Sequence, residues 1–221
     1  MSPLTAYASD LVNLCSMCLL LTSFGIVAQR RLSACVDLFA LQSVFLTLAA
    51  TLVAFFTGLT HIYAAALLAI AIKAVVIPRI LKRIIEHVNV KREVELVINI
   101  PPSLLICGVL VILAFSITRP LGGLGGLPTK DSLAIALAIV LIGVFTMIAR
   151  KKAVTQVVGF LVVENGVFLA ATSAAYGMPL IVELGLSFDL LVAALIIGIY
   201  THRLQDAFDS VDVTKLTRLR E

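Results

Sequence analysis

Three ionisable side chains stand inside stretches that are otherwise apolar, namely Lys73, Glu164 and Asp189. A charge in the middle of a lipid bilayer is costly, so residues of this kind usually face a protein interior and mark a pathway for ions or protons. Removal from water favours the neutral form of an acid and of an amine alike. Such groups can exchange protons near neutral pH, and the pattern is typical of an intramembrane proton relay.

The spacing of these residues from the predicted turns places them at one depth. Because an α-helix rises about 1.5 Å per residue, Glu164 and Asp189 lie roughly 18–20 Å from a turn near 176–177. Lys73 lies about 20 Å from a turn near 59–60 by the same rise. Two acids and one base are therefore predicted in one layer, about halfway through the membrane.

Four further polar residues are candidates for supporting roles. Asn165 and Gln42 could hold water between the charged groups, Asp37 lies near the inner end of the second predicted helix, and Glu183 lies nearer the outer end of the seventh. A buried salt bridge that only fixes helix packing would use the same ionisable residues. The sequence leaves both interpretations open.

The elements that must position these side chains are transmembrane helices. The chain has 221 residues, of which 61% are hydrophobic and 14% charged, and its mean hydropathy is +1.11. A soluble protein of this length cannot bury so much apolar surface, so a soluble enzyme is excluded and an all-α, polytopic membrane protein is predicted. Seven stretches are long enough to span, near 4–28, 35–58, 62–81, 97–118, 132–149, 154–176 and 178–202.

Pro78 follows Lys73 by five residues in the third predicted helix. It could kink that helix and free backbone carbonyls. A simple helix end before Arg79 explains the same proline equally well.

The distribution of charge predicts the orientation. The net charge is +4, and basic residues cluster in alternate loops. By the positive-inside rule those loops are cytoplasmic, which places the N-terminus outside and the C-terminus in the cytoplasm. The cytoplasmic set comprises Arg30, Arg31, Lys82, Arg83, Lys91, Arg92, Arg150, Lys151, Lys152 and the tail, whereas the opposite loops carry only Arg119 and Lys130.

The predicted helices divide the chain into four parts. Residues 1–96 form an N-terminal three-helix unit with a cytoplasmic loop, and 97–131 form a single helix with an outer loop rich in Gly and Pro. Residues 132–203 form a second three-helix unit, and 204–221 form a cytoplasmic tail. Each three-helix unit has a basic turn before its second helix, which suggests a repeat without proving one.

Several classes of chemistry are not indicated. Cys15 and Cys18 form a CxxC inside an apolar run, which favours small residues on a membrane helix over a metal or redox site. The histidines are not spaced to bind a metal. The sequence also has no nucleotide-binding loop and no cysteine set for an iron–sulfur cluster. It also has no Trp and no basic run with interleaved aromatics. We therefore expect no catalytic residue, metal, cofactor or nucleic-acid partner.

Residues 132–203 resemble the NuoK-type subunit of respiratory complex I and its MrpC relatives. The resemblance rests on the basic turn 150–152, on Glu164 in a Glu-Asn-Gly setting, on Asp189 and on the closing segment 199–203. In that family two intramembrane glutamates are associated with proton translocation. Glu164 matches the first, and Asp189 stands at about the place of the second as a shorter acid.

The whole chain is similar to component E of hydrogenase-4 (HyfE), including relatives called HycP. The resemblance implies a non-catalytic membrane subunit, without a cofactor, of a group 4 [NiFe]-hydrogenase or formate hydrogenlyase-type complex. Its implied partners are antiporter-like subunits and the membrane anchor of the redox arm, in a bacterial or archaeal cytoplasmic membrane. A structural linker, a cation/proton antiporter subunit or an independent transporter stays open, and a membrane enzyme is the weakest alternative.

Overall fold

The computed structural model describes residues 3–57, 70–87, 97–120 and 130–175. Regular structure in these ranges is helical, which confirms the all-helical prediction there. The helices are α1 (Pro3–Ala28), α2 (Leu32–Thr57), α3 (Ile77–His87), α4 (Ile100–Thr118), α5 (Lys130–Ala149) and α6 (Ala153–Ala175), and a π-helical segment (Ile70–Val76) leads directly into α3.

Five of the described helices are long and apolar enough to cross a bilayer. They correspond within a few residues to five predicted spans. The third predicted span, 62–81, is described only from residue 70, and the seventh, 178–202, lies outside the described residues. The total of seven and the orientation therefore remain predictions. The five spans are Asp10–Ala28, Leu32–Phe55, Ile100–Thr118, Ser132–Ala149 and Val154–Ser173.

Two helical hairpins form the centre of the fold. The turn 29–31 joins α1 to α2, and the turn 150–152 joins α5 to α6. Both turns are basic, and an apolar helix ends where such charges must leave the hydrocarbon. Helix α1 packs against α5 and α2 against α6, so like helices of the two hairpins face each other around a shared core that includes Leu19, Phe39, Ile139 and Leu161.

The other described helices flank this centre. The π-helical segment and α3 pack on α2, whereas α4 packs against α5 and α1. Most of α4 is left uncovered, and Leu105, Val109 and Ile112 are exposed along it. This face is apolar, as expected for a helix in contact with lipid.

A close approach of backbones joins α5 to α6. At Gly143 an added Cβ atom would stand 2.8 Å from the backbone nitrogen of Val163 and 2.9 Å from the carbonyl oxygen of Gly159. Small residues at such crossings let membrane helices gain van der Waals contact. The second hairpin is therefore tightly closed, which fixes the position of α6.

The helix carrying Pro78 does not end before Arg79 but continues to His87, so the helix-end interpretation is wrong. Pro78 is the second residue of α3, and a wide π-helical turn lies directly before it. A proline cannot donate a hydrogen bond, and its ring crowds the preceding turn, which the wider turn relieves. The helix extends past the predicted end at 81 because Leu81, Ile84 and Ile85 pack into the core.

Candidate functional site

Lys73 lies on the π-helical segment, and its side chain is 2% exposed. Its Nζ stands 3.3 Å from Oε1 of Glu164 and donates a hydrogen bond of 3.2 Å to Oδ1 of Asn165. The ring of Phe168 lies beside it, with 5.9 Å between Nζ and the ring centroid. Helix α6 therefore supplies the acid, the amide oxygen and the ring that surround this amine.

The local sequence of α6 explains this arrangement. Glu164 and Phe168 are four residues apart, which puts both on one side of the helix. Gly166 serves the other side, because an added Cβ there would meet the carbonyl oxygen of Ala136 on α5 at 3.0 Å. The Glu-Asn-Gly pattern thus combines two polar contacts toward Lys73 with a close helix contact behind them.

Hydrogen bonds continue the site from Asn165 across the two hairpins. Nδ2 of Asn165 donates to Oε1 of Gln42 on α2 at 3.1 Å. Nε2 of Gln42 donates to Oγ of Ser23 on α1 at 2.7 Å and to the carbonyl oxygen of Leu19 at 3.2 Å. These polar side chains are buried. We call Lys73, Glu164, Asn165, Gln42 and Ser23 the buried polar chain.

One end of the buried polar chain is a contact between a basic and an acidic side chain, Lys73 and Glu164. A buried pair of opposite charges has no net charge, so its burial costs less than that of either charge alone. Transfer of a proton from Nζ of Lys73 to the carboxylate of Glu164 would leave a neutral acid and a neutral amine in the same place. The geometry therefore places a proton donor beside a proton acceptor.

Four of the residues singled out in the sequence meet in the buried polar chain. The common depth of Lys73 and Glu164 follows from helical rise, whereas the contact of all four residues depends on how the hairpins and the π-helical segment pack. The proton-relay role of these residues stays a prediction. The four are Lys73, Glu164, Asn165 and Gln42.

Of the three other predicted residues, one is described, and it lies apart from the buried polar chain. Asp37 forms an ion pair with Lys82 of α3, and both side chains are accessible. An exposed pair of this kind contributes little to stability, at most about 1 kcal/mol. Asp189 and Glu183 lie outside the described residues, so their places in the site remain predictions.

Sequence reasoning missed Ser23 and Phe168. Helical spacing from Glu164 was a usable signal for Phe168, because residues four apart share a helix face. Ser23 had no such signal, since its contact with Gln42 depends on the register between α1 and α2. Serines are frequent on membrane helices, where they commonly bond to the preceding turn.

Arg150 lies in the basic turn 150–152, as predicted, but has a contact that the sequence did not indicate. Its side chain is 3% exposed, and Nη2 donates to the carbonyl oxygen of Val27 at the end of α1. The last carbonyls of a helix lack helical partners, so this contact caps α1. Burial lowers the pKa of Arg150 from its usual value. Gln156 donates to the carbonyl oxygen of Arg150 at 3.0 Å and holds the turn.

Comparisons with known proteins find relatives over nearly the full chain. Hydrogenase-4 component E of Escherichia coli K12 is 22% identical over 218 residues, which cover 96% of this chain and 98% of that protein. The protein of the same name from Shigella flexneri matches equally. No family model matches the chain, and no solved structure matches it.

A more similar relative shows the family. Uncharacterized protein Rv0085 of Mycobacterium tuberculosis is 37% identical over 214 residues. The match covers 96% of this chain and 97% of that protein. Identity at this level over almost the whole of both chains means that the chain belongs to the family of Rv0085.

Proposed function

We propose that this chain is a non-catalytic membrane subunit of a group 4 [NiFe]-hydrogenase or formate hydrogenlyase-type assembly related to complex I. We further propose that its Lys73–Glu164 pair takes part in proton translocation. The similarity to hydrogenase-4 component E, which spans nearly all of both chains, supports the first part. The observation that carries the second is the buried contact of 3.3 Å between Nζ and Oε1.

The proposed path has Asp189 as a further proton-carrying group. The common depth expected for Glu164 and Asp189 supports its inclusion, as does the resemblance of 132–203 to NuoK-type subunits. A carboxyl beside the Lys73–Glu164 pair would extend the path along the membrane plane. Antiporter-like subunits and the membrane anchor of a redox arm are the proposed partners. The proposed location is a bacterial or archaeal cytoplasmic membrane, with the N-terminus outside.

A structural linker is the second candidate function. It is favoured by the close pairing of Lys73 with two side chains of α6, because such contacts would also lock helices together without moving protons. The two functions differ in what they require of the pair. A relay needs groups that titrate, whereas a linker needs only groups that fit.

Replacement of both charged residues by apolar ones distinguishes the relay from the linker. In the single variant Glu164→Gln, Lys73 loses its acid, and breaking a buried pair from one side costs about 3–5 kcal/mol. In the double variant Lys73→Met with Glu164→Met, apolar side chains of similar size replace both, which is often neutral or stabilising. We expect the double variant to assemble like the wild type but to lose proton translocation.

The measurement is proton translocation per redox turnover by the whole complex in proteoliposomes, after assembly has been checked by purification. Thr172→Val is the matched control on α6, because the buried Thr172 hydroxyl bonds only to the preceding turn among its described contacts. We expect this control to translocate normally. Wild-type translocation by the double variant would exclude the relay and leave the linker.

A further inference from the structure

The buried polar chain ends on a backbone carbonyl. The hydroxyl of Ser23 donates to the carbonyl oxygen of Leu19 at 3.0 Å, and Nε2 of Gln42 donates to that same oxygen. A backbone carbonyl can only accept hydrogen bonds. The Leu19 carbonyl therefore fixes the α1 end of the buried polar chain. No described hydrogen bond joins α1 directly to Lys73.

This starting point sets the orientation of every group that follows. The single proton of the Ser23 hydroxyl is used on Leu19, so Oγ can only accept from Gln42. If the Gln42 amide were reversed, its oxygen would face the Leu19 carbonyl oxygen, and its NH₂ group would face the NH₂ group of Asn165. Neither pair can form a hydrogen bond. Gln42 must therefore present Oε1 to Asn165, and Asn165 must present Oδ1 to Lys73.

We infer that Gln42 is a positioning residue, which turns Asn165 so that Oδ1 holds Nζ of Lys73 against Glu164. Its own amide is held by Ser23 and by Leu19, which lie on another helix. Placement of the amine thus depends on the packing of α1, α2, α6 and the π-helical segment together. The positioning role does not depend on the proposed function, because Lys73 contacts Glu164 whether or not the pair moves protons. Only an effect of Gln42 on proton translocation rests on the proposed function.

The amides also limit where a proton can go. A proton path needs groups that accept one proton and release another, and a side-chain amide does neither at physiological pH. Asn165 and Gln42 therefore hold Lys73 without conducting toward α1. Glu164 contacts the amine of Lys73 in the described structure, so α6 supplies an acid beside the amine.

The arrangement of the two hairpins adds an independent observation. Gln42 is the eleventh residue of α2 and Glu164 the twelfth of α6, and these like helices face each other. Glutamine has the shape of glutamate but does not titrate. At the same level of the two hairpins, α2 thus carries a polar group that does not titrate and α6 carries an acid. A positioning role suits Gln42, and proton exchange suits Glu164.

Solid-state NMR on the full-length protein in lipid bilayers tests the inference. Lysine is labelled with ¹⁵N at Nζ and glutamate with ¹³C at the carboxyl carbon, and the dipolar coupling between the two nuclei is recorded. The signal of the Lys73–Glu164 pair is the one that disappears in Glu164→Gln. We expect Gln42→Met to lose this coupling, because Asn165 is then free to turn away.

Thr22→Val is the matched control. The Thr22 hydroxyl donates to the same Leu19 carbonyl at 2.8 Å but bonds to neither amide, so the coupling should persist. Retention of the coupling in Gln42→Met would overturn the inference. If Gln42→Met does not accumulate in the membrane, Asn165→Leu removes the next link and should lose the coupling, and retention there would overturn the inference equally.

Proton translocation by the whole complex is measured for the same variants. Loss of the coupling together with loss of translocation supports both the positioning role and the proposed function. Loss of the coupling with normal translocation supports the positioning role and refutes the relay. The two proposals can therefore fail separately.

Discussion

Three side chains from about one turn of α6 contact the amine of Lys73. Glu164, Asn165 and Phe168 contact its amine from one face of α6. A cation desolvated beside an aromatic ring gains up to about 2 kcal/mol. The ring therefore adds to the ion pair and shields it, which is a contribution that a change at Phe168 can isolate.

We predict a measurable coupling between Phe168 and Lys73. Phe168→Leu should destabilise the wild-type protein, whereas in the Lys73→Met background only the packing part of that loss should remain. The difference should be about 0.5–2 kcal/mol, the value of a cation–π contact. Unfolding in mixed micelles of the wild type, both single variants and the double variant gives the coupling. Strict additivity would show that the ring acts only by packing.

Helix α6 holds Glu164 in place because its close crossing with α5 leaves no space for the two helices to shift. Gly143 stands so close to α6 that even one added carbon atom meets backbone atoms. Membrane helices have little hydrophobic drive to associate in lipid, so such close contact supplies much of their attraction. The π-helical segment is positioned differently, by the proline that follows it and by its packing on α2.

Two glycine variants test this crossing. Gly143→Ala should destabilise the protein by about 1–3 kcal/mol, because overpacking forces the helices apart. Gly108→Ala on α4 is the matched control, since an added Cβ atom there meets nothing within 4 Å. We expect that control to be neutral or slightly stabilising. Unfolding midpoints in the same detergent mixture compare the two, and equal losses would contradict the role of the crossing.

In the described part of the chain, basic residues are concentrated at one end of the helices. The basic turns 29–31 and 150–152 lie at the same ends of the two packed hairpins, which agrees with the alternation expected from the sequence. Lys151 at one end and Arg119 at the other are both exposed. These residues allow the predicted orientation to be measured.

A labelling experiment in intact cells provides that measurement. The four native cysteines are replaced by alanine, and Lys151→Cys or Arg119→Cys is introduced singly. A membrane-impermeant maleimide added outside should label Arg119→Cys only, whereas both variants should react after lysis. Labelling of Lys151→Cys from outside would reverse the predicted topology.

Sequence by itself determined the properties that depend on one segment at a time. Hydrophobic length set the spans, and a constant helical rise placed Lys73 and Glu164 at one depth. Tertiary structure decided which groups meet. Packing of the hairpins brings Gln42 and Ser23 into hydrogen-bonding contact with each other and with Asn165, and it places Arg150 against the last carbonyls of α1. Such contacts depend on helix register and rotation, which the order of residues along the sequence does not fix.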